Sequence, residues 1–327
     1  MAKYEFEQVI SESVMVTLPT GDQLHMKRLR VASDSSYATP VFMLHGVVED
    51  GRIFYSPRGG GLAYFLAQQG FDVFVVDLRG KGSSWPSLNR GKPSKGKDDE
   101  TEPSDAAYGA YEVVTQDLPA LINEMRMLTG GLPWIWVTHG WGGVLATAHM
   151  ARYPERATGI LGVVHFASRR TVKVNSFRKR VLLDWWWNRW GQWLVRYKGY
   201  LPARFWGYGV SDEAAGIHQD MITWSSQAEW VDQNDGFDYR SAVLLMSEKP
   251  ASLYFASVTD SGFADKDDIR DFMKHHGEHD GRLVLLGKAL GNRRDYNAVE
   301  MLVHEDAQED HFPLMLSWMM EVGGEVM

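Results

Sequence analysis

The ten residues from Trp134 to Gly143, Trp-Ile-Trp-Val-Thr-His-Gly-Trp-Gly-Gly, constrain this chain more than any other stretch. An unbroken run of β-formers from Trp134 to Val137 reads as a short strand buried on both faces, and Trp141 through Met150 reads as a helix. Between them only a sharp turn fits. A strand that breaks straight into a helix is the setting of the G-x-S-x-G pattern, in which a strained turn lifts a serine above the edge of a sheet. Here Thr138 stands at the first glycine, Gly142 at the last, and Gly140 where the serine belongs.

The flanking chain supports the same architecture. Val14–Leu18 and Leu24–Val31 alternate apolar and polar residues around Pro19-Thr20-Gly21-Asp22, a β-hairpin signal. Pro40–His45 is a buried strand, a helix follows through Leu66 to a terminating Gly70, and Phe71–Asp77 is a second buried strand. That is a βαβ unit with parallel neighbours. Arg79–Ala107 is a long polar loop. Tyr111–Leu128 regains helical periodicity, and Thr158–Phe166, Ala251–Val258 and Arg282–Leu286 supply further strands. The expected fold is α/β, a doubly wound, mostly parallel sheet.

One segment interrupts the alternation. Residues 168–239 hold eight of the thirteen tryptophans. Leu183, Trp186, Trp187, Trp190, Trp193, Leu194 and Tyr197 recur at helical spacing. This predicts a helical cap over the site, inserted into a core formed by residues 1–167 and 240–327. Trp186, Trp187 and Trp190 are its candidate substrate-binding residues.

The formal net charge of −8 argues against nucleic-acid binding, and the absence of cysteine removes disulfides and thiolate chemistry. No apolar run approaches the roughly 20 residues of a membrane span, and Met1–Ile10 lacks a signal-peptide core. A soluble cytoplasmic protein is the expectation. The spacing of His275, His276 and His279 matches no metal-ligand pattern and reads as a solvated helix end. Asp265, Asp267 and Asp268 read as helix-capping residues. Neither metal nor cofactor is expected.

An acyl-transfer site on such a sheet needs a nucleophile, then an acid, then a histidine in chain order, with two backbone donors for the oxyanion. After Gly140 the acid candidate is Asp260, just past a strand. The histidine candidate is His311, with His304 as its rival. The oxyanion donors would be the N–H groups of Val47 and Trp141.

The motifs Leu44-His45-Gly46-Val47, Gly70-Phe71-Asp72-Val73 through Asp77-Leu78-Arg79-Gly80, the elbow, Asp260 and His311 together resemble the α/β-hydrolase superfamily. Residues 40–143 resemble the acid lipases. Gly199-Tyr200-Leu201-Pro202 and Gly207-Tyr208-Gly209 resemble a bacterial group of predicted α/β-hydrolases. The resemblance implies a serine esterase or lipase acting on a small or lipid-like ester through an acyl-enzyme, and Gly140 departs from it at the attacking residue. Three readings follow: a hydrolase that has lost its serine, a pseudo-hydrolase binding a hydrophobic ligand or a protein through its cap, or serine-free chemistry with His311 as general base. The cap's basic residues could also attract an anionic head group or membrane surface.

Overall fold

The computed structural model describes residues 8–32, 39–56, 59–88, 107–173, 180–260 and 263–324; the side chains of 180–184 and 186 lie outside that description. Most of the polar loop expected over 79–107 falls outside it as well. Eight strands form one sheet in the order β1-β2-β4-β3-β5-β6-β9-β10. β1 (Val9–Thr17) and β2 (Gln23–Val31) are an antiparallel hairpin, and β2 is antiparallel to β4 (Asp72–Asp77). From β4 onward every pairing is parallel, through β3 (Pro40–Leu44), β5 (Trp134–His139), β6 (Ile160–Phe166), β9 (Ala251–Ser257) and β10 (Gly281–Leu286).

The continuous apolar strands have a direct cause. Successive side chains leave a strand on opposite faces, so a sheet covered on both faces needs apolar residues at every position. Phe42, Phe74, Trp134 and Trp136 enter one core, with the helices Leu118–Leu128 and Trp141–Arg152. Their neighbours Val41, Val73, Ile135 and Val137 enter the other, with Leu62–Gln68 and Phe312–Gly323.

Two local expectations change. Asp265 does cap the helix Lys266–His275, accepting from the N–H groups of Asp267 and Asp268. The far end of that helix is not solvated, however. His276 is buried, within reach of Thr147 Oγ1 at 3.1 Å and Tyr254 OH at 3.3 Å, because the helix end packs onto β9. The helix expected over Tyr111–Leu128 is also not uniform. It runs Ala110–Glu112, then a π-helical stretch Val113–Asp117, then Leu118–Leu128.

Between β6 and β9 lies a helical insertion. A π-helix Arg180–Gly191 continues as Gln192–Lys198, and a small ribbon pairs β7 (Tyr200–Leu201) with β8 (Glu213–Ala214). The helix Ala215–Ser226 follows. Buried polar contacts fasten the insertion to the sheet. Lys81 Nζ lies 2.8 Å from Glu213, Val48 N–H donates to Glu213 at 2.7 Å, and Ala110 N–H donates to Asp220 at 2.7 Å. The broad aromatic face expected here splits. Trp187 and Leu194 are buried, while Trp190, Trp193 and Tyr197 face solvent, as does Trp185, which lies outside the expected face.

Candidate active site

Strand β5 ends at His139, and the helix beginning at Trp141 is capped by Gly140 at φ 52° and ψ −124°. That conformation is open to glycine and strained for any L-residue. The two glycines after it are needed for space. A Cβ on Gly142 would lie 2.5 Å from the Leu44 carbonyl oxygen and 2.6 Å from that of His45, and one on Gly143 would lie 2.4 Å from Ser168 Oγ. The obstacles at Gly142 are backbone, so they cannot swing aside. Gly142→Ala is expected to destabilise the fold by about 3 kcal/mol, the upper end of overpacking costs, measurable by urea unfolding. A Cβ on Gly140, by contrast, would meet nothing within 4 Å.

Gly140 opens onto a cavity of about 960 Å³. Its walls come from the loop after β3 (Gly46–Glu49), the turn itself, residues 167–173 after β6, Trp187 and Met221 of the insertion, Asp260 after β9, and residues 297–299 after β10. This is the carboxyl edge of the parallel strands, where open α/β sheets place their sites. Val48 (φ 52°) and Ala167 (φ 52°) are the non-glycine residues with positive φ among those described, and both line this cavity. Val48 is held there by its N–H bond to Glu213 and by its carbonyl, which accepts from Val210 and Ser211. Strain of this kind persists only where surrounding bonds over-determine it, and it collects at functional sites.

Of the residues singled out by sequence, Gly140, Val47, Trp141, Asp260 and Trp187 come together on this wall. The loop carrying Val47 and the turn carrying Trp141 approach closely: a Cβ on Gly46 would lie 3.1 Å from Trp141 N. Asp260 is buried, and its carboxylate accepts from the N–H groups of Phe263 and Ala298, each at 3.2 Å.

His311 is not brought to that group. It caps the helix Phe312–Gly323, its Nε2 lies 2.8 Å from the Met301 carbonyl oxygen, and its Nδ1 is buried without a partner. The rings of Phe166, Phe255, Tyr296 and Phe312 surround it. Burial there pushes its pKa down to about 4. His304 lies 3.3 Å from Asp306 and is not on the cavity wall either. Trp190 is exposed and absent from the wall; the side chain of Trp186 lies outside the described residues.

From the loop after β10, Ala298 reaches Asp260. Its N–H bonds Asp260, and its carbonyl accepts from His139 Nε2 at 3.0 Å, one residue before Gly140. His139 Nδ1 meets Glu49 Oε2 at 2.8 Å, and Glu49 also accepts from Gly46 N–H. Burial pushes the Glu49 carboxyl up, but His139 and the Gly46 N–H outweigh it and hold the group below its usual range. Both ring nitrogens of His139 lie within hydrogen-bond distance of oxygen atoms, so the orientation of the ring is fixed from two sides. Sequence reading missed Glu49, His139 and Ala298. The first two are 90 positions apart, and an alanine carries no chemical signal.

A cationic stretch completes the wall. Arg170 is buried and, among the described residues, donates to carbonyl oxygens alone, those of Trp224, Gln227, Ala228 and Glu229 at and just after the end of the helix Ala215–Ser226. Arg240 shares the Ala228 carbonyl at 3.1 Å. Burial and then the nearby Arg240 lower the Arg170 pKa to about 10, and burial followed by both guanidiniums lowers His275 to about 4. Among the described residues no cluster of His, Cys, Asp or Glu could hold a metal ion.

Comparison with known proteins shows the family and the fold. The profile of the serine aminopeptidase S33 family matches residues 36–223, more than half of the chain. Sterol esterase 2 of Saccharomyces cerevisiae is 31% identical over 123 residues, 37% of this chain and 21% of that protein. Triacylglycerol lipase 2 of Arabidopsis thaliana is 32% identical over 125 residues, 35% of this chain and 27% of that protein. The matched segment thus spans only about a quarter of these relatives. Among solved structures, a soluble variant of monoglyceride lipase from Saccharomyces cerevisiae superposes with a TM-score of 0.66 at 14% identity, covering 98% of this chain and 97% of its own. A thermophilic esterase from Thermogutta terrifontis gives 0.55 at 15% identity, covering 95% and 99%.

Proposed function

Given that this chain belongs to the serine aminopeptidase S33 family of α/β-hydrolases, an esterase- and lipase-type group, we propose that it binds a lipid-like molecule without turning it over through an acyl-enzyme. The observation that carries this reading is a double vacancy. Gly140 supplies no oxygen at the turn, and Ala298 supplies no imidazole beside Asp260. One loss leaves a broken catalyst, but two losses around an intact cavity fit a site kept for binding. Val47 and Trp141 retain the backbone positions of an oxyanion pocket, and Asp260 retains that of the orienting acid. Serine-free chemistry based on His311 loses its support, because that ring bonds Met301 away from the cavity.

The wall suggests the ligand class. Val47, Val48, Trp187 and Met221 belong to one apolar cluster between the insertion and the loop after β3, which suits an acyl chain. Arg170 and Arg240 stand close enough to repel, and among the described residues neither has a carboxylate partner. A repulsive pair of this kind suits an acidic head group, which would relieve it. The reading is therefore a cap, formed by the insertion over residues 168–239, enclosing an amphipathic acid such as a fatty acid.

Calorimetric titration with oleate and with methyl oleate tests it. Oleate should bind with a Kd at or below the micromolar range, and Arg240→Gln should weaken oleate about tenfold while leaving methyl oleate nearly unchanged. Absence of binding by both ligands, or rapid hydrolysis of p-nitrophenyl esters by the unmodified protein, would sink the proposal.

A further inference from the structure

The insertion carries a second feature that the cavity does not use: a row of aromatic rings pointing away from it. Trp185, Trp190, Trp193 and Tyr197 are all exposed, Tyr197 by 77%. Their rings form a continuous ladder. Trp185 and Trp190 lie 5.9 Å apart, Trp190 and Trp193 5.8 Å, and Trp193 and Tyr197 5.9 Å in a stacked pair. The spacing follows from the backbone. In the π-helix Arg180–Gly191 the i→i+5 repeat aligns 185 with 190, and in the α-helix Gln192–Lys198 an i→i+4 step aligns 193 with 197. Phe205, exposed by 78%, and Trp206 extend the same segment with rings 5.4 Å apart.

Cations are interleaved with these rings. Arg189, Arg196, Lys198 and Arg204 are exposed, and no acidic residue occurs from Trp185 to Ser211 in a chain whose net charge is −8. Among the described residues Arg189, Arg196 and Lys198 enter no salt bridge, while Arg204 stands beside Asp212. Aromatic rings left half in water beside exposed cations have a specific physical match. Trp and Tyr seat at the depth of lipid headgroups, and Arg and Lys meet the negative potential of an anionic leaflet. Aromatic rings and arginines also occur at protein interfaces, but this row is an exposed helix surface rather than a groove, and with no acidic residue from Trp185 to Ser211 it would repel a second copy of itself.

We propose that the outward face of the insertion, from Trp185 to Val210, seats on an anionic lipid surface. No helix among the described residues is long and apolar enough to cross a membrane, so the contact is peripheral. Trp187 and Tyr208 come from the same segment and line the cavity. Seating would therefore set the cavity wall next to the lipid layer. The proposal does not rest on the ligand-binding reading.

Co-sedimentation with vesicles tests it: phosphatidylcholine alone against phosphatidylcholine with a third replaced by phosphatidylserine. The full chain should pellet with the anionic vesicles, release as salt rises, and show tryptophan quenching by brominated lipid. Trp190→Ser with Trp193→Ser, and separately Arg196→Gln with Lys198→Gln, should each reduce partitioning roughly tenfold. All four residues are exposed, so thermal unfolding should be unchanged and a folding defect would be visible separately. Failure to pellet with either vesicle, or pelleting untouched by both double variants, overturns the proposal. So does self-association in the ultracentrifuge that the tryptophan variant abolishes while vesicles go unbound, which would make the face a contact between two copies.

Discussion

Gly140→Ser combined with Ala298→His is expected to give the chain an ester hydrolysis that neither substitution gives alone. The members of a nucleophile–base–acid set act as a unit, so removing the nucleophile or the base alone costs about as much as removing all three. Gly140→Ser by itself supplies an alcohol with no base to deprotonate it. Ala298→His by itself supplies a base with nothing to activate. Together they face Asp260, which already contacts Ala298 through its N–H, and the backbone donors at Val47 and Trp141. The double variant should hydrolyse p-nitrophenyl butyrate at least about a thousandfold faster than the unmodified chain, with each single variant within about tenfold of background. The serine has room, since nothing lies within 4 Å of its Cβ. Its φ near 52° should cost about 1–3 kcal/mol of stability, visible as a lower Tm. If Gly140→Ser alone were active and His311→Ala abolished that activity, the histidine assignment to Ala298's position would fall. A folded double variant with no gain would argue that the oxyanion donors are not in place.

What the sequence made legible follows from what leaves a periodic or positional trace. The turn at Gly140 was readable because a buried strand and a helix pin it from both sides. The parallel order of β3 and β4 followed from the strand–helix–strand spacing. Asp260 was readable because an acid directly after a strand sits at the sheet's carboxyl edge. His311 was misleading for the complementary reason. Chain order asks for a histidine after the last strand, and the one singled out lies in a helix start whose direction only packing sets, into the rings of Phe166, Phe255 and Tyr296. Trp190 was misassigned by period. The helical spacing assumed for an α-helix does not hold through the π-helical Arg180–Gly191, so rings expected to face inward turn outward. The Glu49–His139 pair is a product of tertiary folding alone.

Acidification is expected to unfold this protein well before carboxylates are exhausted. His149, His165, His218, His276 and His311 are buried and His275 is half-buried, and burial pushes each pKa down, to about 4 for His149, His275 and His311 and about 3 for His276. In the unfolded chain each returns to about 6.5. Their contribution to stability is therefore complete above about pH 6.5 and is lost as pH falls towards 4, because the unfolded chain takes up protons that the folded chain refuses. Three carboxylates pull the other way. Burial raises Asp117 and Asp220 to about 6, so the folded chain binds their protons first as pH falls from about 6 to 4, and burial raises Asp212 too. From about pH 6.5 to 6 only the imidazoles act. Below 6, the four imidazoles driven to about 4 or lower (His149, His275, His276 and His311) against the two carboxylates driven to about 6 (Asp117 and Asp220) leave a net of about two protons, or roughly 2.7 kcal/mol per pH unit. Between pH 7.5 and 5 the loss should reach roughly 5 kcal/mol, a large fraction of a domain's stability and about 10 °C in Tm. Thermal unfolding followed by circular dichroism across that range measures it. His149 makes a single hydrogen bond, from the ring to the Val114 carbonyl oxygen, so His149→Gln should remove one proton from the balance and flatten the slope by about 1.4 kcal/mol per pH unit. A Tm that stays level or rises on acidification would show that these rings charge without leaving the fold.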